Sequence, residues 1–235
     1  MGETARRADG DGTPRVAAFF DFDSTIVRGD SIVPFTKFLF RRGIPKLSHK
    51  LQLAWSLLLH HARVHTNDDV KQVFARQFAG HSAAEIESLC REFSETVLKP
   101  LVYPQARERI ERHRVQKHLV IIASASVTAY LEAFGNELGA DIVVGTVLEQ
   151  QNGAYTGRLA TPNCIKEEKI NRLRALPVFR EIHMPSSFAY SDHIYDLPML
   201  AMVGNPVLVN PEPRLRKVGK QRQWPTEHWG LENAR

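Results

Sequence analysis

The chain has 235 residues, a formal net charge of +5, and 43% hydrophobic and 24% charged residues. This is the balance of a soluble globular protein, long enough for one large domain or one domain carrying an insertion. The two cysteines, Cys90 and Cys164, show neither disulfide nor zinc spacing, which fits a reducing cytoplasm.

In chain order, "MGETARRADGDGTPR" has no apolar core, so it does not read as a signal peptide. Arg6 stands where a myristoylation signal carries Ser or Thr, and residues 1–13 read as a flexible lead-in. The apolar run "VAAFF" (16–20) then meets "DFDST", which puts Asp21 and Asp23 one residue apart. Strand side chains two apart share a face, and two like charges held that close call for a cation or a shared proton.

Residues 31–113 carry helical spacing, as in "DDVKQVFARQF" and "AAEIESLCREFSETVL", and show no strand pattern. Within them "LQLAWSLLL" (51–59) is too short to span a bilayer and reads as a helix packed on other helices. No membrane association is expected. The run "LVIIA" (119–123) ends at Ser124, and "TAYLEAFGNELGAD" reads as a helix closing at Gly139. "DIVVGTVLEQQNGAYTGRLA" reads as two strands joined across Asn152-Gly153. The basic helix "KEEKINRLRAL" follows, then "SFAYS" (187–191) ending at Asp192, the start of a helix at "LPMLAMV", and a last strand "PVLVN" (206–210).

Three apolar runs thus end on Asp21, Ser124 and Asp192, with Asp196 four residues further on. Short non-alternating apolar runs fit central parallel strands buried on both faces, although any one of them alone also fits a buried helix, and open α/β sheets bind ligands beyond their carboxyl ends. Oxygen ligands on such rigid strands suit a hard cation such as Mg²⁺ together with a substrate phosphate. A lysine on the helix after the hairpin completes the residue types of a phosphoryl-transfer site.

With these residues the chain resembles the haloacid dehalogenase superfamily phosphatases. "DFDST", the hydroxyl of "IIASAS", the lysine of "CIKEEKINRL" and "YSDHIYDLPML" follow the order of that family's four motifs. The likeness is to the phosphoserine-phosphatase-like branch and runs from Val16 through "VLVNPEPRLRKVG". It implies an α/β fold with a Rossmann-like parallel sheet core (residues 14–29 and 115–235) and an inserted all-helical cap (30–114). It implies Asp21 as the nucleophile, and Asp23 as the acid that protonates the leaving oxygen and then activates water. It implies a Mg²⁺ site of Asp21, the carbonyl of Asp23, and Asp192, supported by Asp196. Ser124 and Lys169 would hold the transferring phosphoryl group, with Lys166 as the competing lysine. Asp30, nine residues past Asp21, would hold a substrate amine. His193 and Tyr195 depart from the family's small or amide residues at those positions.

Each feature also has a plainer reading. "DFDST" and Ser124 fit turns or caps, Ser126 competes with Ser124, and Asp30 and Asp196 fit helix starts. His60, His61 and His65 read as solvated helix-end residues, Cys164 as a structural thiol, Trp224 and Trp229 as packing residues, and "RLRKVGKQR" (214–222) as a basic terminal helix. The expectation is a cytoplasmic, Mg²⁺-dependent phosphomonoesterase acting on a small phosphorylated metabolite, phosphoserine-like or another phosphoamine such as histidinol phosphate. Its partner is that small molecule, with no nucleic acid and no membrane. The alternatives are a phosphotransferase to another acceptor and a non-catalytic phosphate-binding module.

Overall fold

The structure is a computed structural model that describes residues 14–44 and 66–230. The segment 51–59, the three histidines near it and the N-terminal lead-in fall outside the described residues.

The chain opens with β1 (Ala17–Phe20) and then enters the helical region: α1 (Ile32–Arg41), α2 (Asn67–Ala75), α3 (Ala83–Phe93) and α4 (Pro104–Val115). It continues through β2 (Leu119–Val127), α5 (Thr128–Leu138), β3 (Ile142–Thr146), β4 (Leu148–Gln151), β5 (Ala154–Leu159) and α6 (Lys166–Ala175). Last come β6 (Phe188–Ser191), α7 (Leu197–Ala201), β7 (Asn205–Val209), α8 (Pro213–Arg222) and the short β8 (Thr226–Glu227). Six strands form one sheet in the order β3-β2-β1-β6-β7-β8, and every neighbouring pair is parallel.

Strand periodicity divides the core in two. Ala18 and Phe20 of β1 join Val120, Ile122 and Tyr190 on one face, and Ala17 and Phe19 join Leu119, Ile121 and Ala189 on the other. The first face merges with an aromatic cluster among the inserted helices, where Phe35 lies 4.7 Å from Phe93 and 6.2 Å from Phe78. The second is covered by Leu173, Met199, Leu200 and Leu215 from α6, α7 and α8. Burial on both sides explains why these strands read as continuous apolar runs.

Two passages join the sheet to the inserted helices, and they run side by side. Val27 and Val102 form an antiparallel bridge; Arg28 N–H donates to Leu101 O at 2.8 Å, and Tyr103 N–H to Ile26 O at 3.0 Å. Helix α4, beyond this pairing, lies on the sheet, with its buried His113 against Phe20 and Phe188.

The stretch expected to be two strands is three. Val147 breaks it, so that β3 stays in the sheet while β4 and β5 form a separate antiparallel hairpin. Asn152 and Gly153 both have positive φ, +52° and +76°, as a tight two-residue hairpin turn requires. The hairpin leans on the inserted helices: Gly80 N–H donates to Tyr155 O, Ala83 N–H to Gly153 O, and the Gln72 side chain to Gly157 O.

Candidate active site

The sheet's chain order turns back at β1: β2 and β3 lie on one side, β6, β7 and β8 on the other. The crevice beyond the carboxyl ends of strands at such a switch point is where open α/β sheets bind ligands. Asp21 follows β1, Ser124 lies in β2 and Asp192 follows β6, so the three predicted residues do converge there.

At the centre Lys169 of α6 reaches through the core and is 3% exposed. Its Nζ stands 2.8 Å from Asp21 Oδ1 and 2.5 Å from Asp196 Oδ1. Burial alone would lower the lysine's pKa, but Asp196 and Asp21 together outweigh it and hold it protonated. Asp21 moves the other way: burial raises its pKa well above the usual carboxylate value, Lys169 works against that, and Asp196 and Asp192 add to it. Asp192 is likewise pushed up to about 7 by burial and by Asp196, while Thr25 Oγ1 donates to its Oδ1 at 3.4 Å.

The second oxygen of Asp196 accepts from Ser191 Oγ at 2.6 Å and its first meets Lys169, so it braces the lysine beside Asp21. Lys166, the competing lysine, is exposed at the start of α6 with φ of +50°, its ammonium 4.6 Å above the Tyr195 ring. Tyr195 packs in turn against His193, whose Nε2 lies 3.6 Å from Glu212.

Asp23 is half-buried and held by three donors. Ser31 N–H and Ser126 Oγ each approach at 2.7 Å, and Ser124 Oγ stands at 3.5 Å. Ser126, weighed only as a competitor of Ser124, is therefore the closer hydroxyl to this carboxylate. Ser124 Oγ also accepts from Ser126 N–H at 3.0 Å. Asp30 caps α1, its Oδ1 accepting from Ile32 N–H at 3.0 Å. Its pKa is raised by the surrounding protein and by the nearby charge of Asp23.

Lys71 of α2 went unnoticed in the sequence. Burial lowers its pKa, and the fields of Asp23 and Asp30 raise it, so the lysine lies within electrostatic reach of those two acids. Nothing in the spacing of "NDDVKQVFA" points to that lysine, because the loop and the helix meet only in the folded chain. Cys164 is buried with its thiol pushed up to about 11 by burial, the state of an inert core cysteine.

No three His, Cys, Asp or Glu side chains among the described residues stand close enough to hold an ion by themselves. The implied site asks for less: two carboxylates, Asp21 and Asp192, and one backbone carbonyl. Asp21 and Asp196 flank the buried ammonium and Asp192 lies within their field, so the pocket is rich in anionic oxygen, and that donor set fits a hard divalent cation.

Comparison with known proteins agrees with this geometry. The family model described as haloacid dehalogenase-like hydrolase matches residues 18–201. A probable phosphatase of Mycobacterium tuberculosis is 33% identical over 95% of this chain and 77% of its own length. A phosphoserine phosphatase of the same organism is 29% identical over 88% of this chain and 69% of its own length. Among solved structures, a Bordetella pertussis protein of unknown function superimposes with a TM-score of 0.82 at 25% identity, covering 91% of this chain and 98% of that one. No helix among the described residues is long and apolar enough to cross a membrane. The four converging motifs and the match over 18–201 establish that the chain belongs to the haloacid dehalogenase-like hydrolases.

Proposed function

We propose that the chain is a Mg²⁺-dependent phosphomonoesterase that works through an aspartyl-phosphate on Asp21. The observation that carries this reading is the buried Lys169 ammonium 2.8 Å from Asp21, with a second acid, Asp23, two residues on. A carboxylate attacks an anionic phosphoryl group only when its own charge is masked, and Lys169 does that from inside the core.

In the first step an oxygen of Asp21 attacks phosphorus while the bond to the leaving oxygen breaks, and protonated Asp23 gives that oxygen its proton. In the second, Asp23, now a carboxylate, takes a proton from water as the water oxygen attacks the same phosphorus. The bond to Asp21 breaks, phosphate leaves, and both acids return to their starting states. Asp21, the carbonyl of Asp23, and Asp192 would hold Mg²⁺, which supplies charge neutralisation for the phosphoryl oxygens when bound. Ser124 and Lys169 receive those oxygens.

The substrate reading is a small phosphomonoester bearing an amine, phosphoserine-like or akin to histidinol phosphate. Its support is the mutual electrostatic reach of Asp30, Lys71 and Asp23, together with the relative named as a phosphoserine phosphatase. We place the cap–core boundary at the paired passages near Val27 and Val102, which assigns α4 to the core side.

The test is a panel of phosphorylated metabolites and 4-nitrophenyl phosphate with Mg²⁺, reading released phosphate. Chelation should stop turnover and Mg²⁺ restore it. Asp21→Asn should reduce kcat by roughly 10⁴-fold or more, as loss of other essential nucleophiles does. Substantial turnover by that variant would overturn the covalent route.

A further inference from the structure

Asp23 lies in the loop after β1, where no sheet hydrogen bond holds its carboxylate. Its placement comes from elsewhere in the chain. Ser126 Oγ donates to Asp23 Oδ2 at 2.7 Å, Ser31 Oγ lies 3.3 Å from Ser126 Oγ, and the Tyr130 hydroxyl lies 2.8 Å from Ser31 Oγ.

Each hydroxyl has one hydrogen, so the direction of this row is fixed when Asp23 is a carboxylate. Ser126 gives its hydrogen to Asp23 and therefore accepts from Ser31. Ser31 then accepts from Tyr130. The residues are 2%, 1% and 0% exposed, so bulk water does not substitute for any link. We propose that Tyr130, Ser31 and Ser126 are positioning residues: their hydroxyl row aims Asp23 and ties its aim to the seating of α1. This deepens the phosphatase reading above and rests on it.

The tie to α1 is geometric. Ser31 immediately precedes the helix, its carbonyl accepts from Phe35 N–H at 3.1 Å, and its own N–H donates to Asp23 Oδ1 at 2.7 Å. Tyr130 is wedged between the inserted helices, 4.6 Å from the Phe35 ring and 5.5 Å from Phe93. Ser31 thus donates to one oxygen of Asp23 and stands behind the hydroxyl that serves the other. If α1 shifts away from the sheet, the backbone donor and the link from Tyr130 to Ser126 are lost together, and Asp23 keeps only the hydroxyls of β2. Proton transfer to a leaving oxygen needs the acid within hydrogen-bond reach, so this would confine proton transfer to the state with α1 seated. A purely structural trio would satisfy its own hydroxyls and have no further effect on chemistry.

The experiment compares phenyl phosphate with 4-nitrophenyl phosphate under single turnover with Mg²⁺, because the poorer leaving group needs the proton more. Tyr130→Phe and Ser126→Ala should each lower the transfer rate on phenyl phosphate roughly tenfold, and on 4-nitrophenyl phosphate threefold or less, with KM nearly unchanged. In an Asp23→Asn background neither should cause a further loss. Equal losses on both substrates, a change confined to KM, or an undiminished loss in the Asp23→Asn background would overturn the proposal. Ser126→Thr, which keeps the hydroxyl, should recover much of what Ser126→Ala loses, and it replaces Tyr130→Phe if that variant does not fold. Asp21→Asn separates the two levels. If it turns over, the covalent reading fails and the positioning role falls with it; if it is inactive, the substrate comparison judges the positioning role alone.

Discussion

Lys169 Nζ lies 2.8 Å from Asp21 Oδ1 although the two residues are 148 positions apart and both are buried. A buried ammonium with a carboxylate on each side is stable as a unit and fragile when one member is removed, because the survivors keep uncompensated charge. Lys169→Ala leaves Asp21 with burial, Asp196 and Asp192 all raising its pKa and nothing lowering it. The expected result is a fall in kcat of about 10² to 10³ or more. Lys166→Ala, exposed and resting on Tyr195, should change kcat less than tenfold by the same measure. Steady-state rates on one aryl phosphate decide it, and the reverse ranking would move the catalytic lysine to Lys166.

Much of this site was legible because its parts are locally encoded. The runs ending at Asp21, Ser124 and Asp192 are apolar for one reason, burial on both sheet faces, and parallel strands deliver their ends to one edge. Lys169 stands four residues before Leu173, as the lysine of the resembled family does, and the fold makes it the buried one of the two while Lys166 is exposed. What stayed hidden is what depends on distant pairing. Ser31 meets Ser126 across 95 positions and Tyr130 across 99, and no periodicity records such a contact. The break at Val147 was missed because β3 and β4 are continuous in β-forming residues while belonging to different sheets. Helix α4 shares the spacing of the inserted helices, and its packing on β2 is recorded only in the folded chain.

A second prediction concerns acid stability. Arg109 donates to the Tyr190 hydroxyl at 3.2 Å, that hydroxyl lies 2.9 Å from His113 Nε2, and His113 Nδ1 lies 2.8 Å from His118 Nδ1. Burial first, then His118, Arg109 and Arg112, lower the pKa of His113 to about 4. The unfolded chain binds this proton near pH 6.5, so it binds more protons than the folded chain between there and about pH 4. The stabilising contribution is complete above pH 6.5 and is lost as pH falls, on the order of 2 kcal/mol in all. His113→Phe should flatten the dependence of Tm on pH across that window. An unchanged slope would mean that other groups carry the acid sensitivity.

A third prediction is a control remote from the chemistry. Gly204 N–H donates to Met184 O at 2.9 Å just before β7, and a Cβ on Gly204 would collide with the Pro185 carbonyl. The obstacle is backbone and cannot rotate aside. Gly204→Ala should therefore cost about 1 to 3 kcal/mol of stability. Thermal melts read the loss, and kcat per folded molecule should stay at the wild-type value. A melt equal to wild type would show that the segment yields without cost.

The last prediction concerns what the opening selects. Asp30 Oδ1 caps α1 through Ile32 N–H, which accounts for its presence without any ligand. Yet this exposed carboxylate lies within electrostatic reach of Asp23 and of Lys71, and the two acids together raise the pKa of that lysine. A cap alone has no need of that lysine, whereas a substrate carrying an amine and a second anionic group would find a partner for each. Asn caps a helix as well as Asp does but offers no charge, so Asp30→Asn separates the roles. An ammonium–carboxylate hydrogen bond of about 1 to 3 kcal/mol corresponds to a tenfold to hundredfold preference. On the recognition reading Asp30→Asn lowers kcat/KM by that factor on phosphoamines and leaves 4-nitrophenyl phosphate within about twofold. Lys71→Ala should lower kcat/KM chiefly on substrates with a carboxylate, such as phosphoserine, and spare phosphoamines without one. If both variants change every substrate alike, Asp30 is a helix cap, Lys71 is its counter-charge, and selectivity lies elsewhere in the opening.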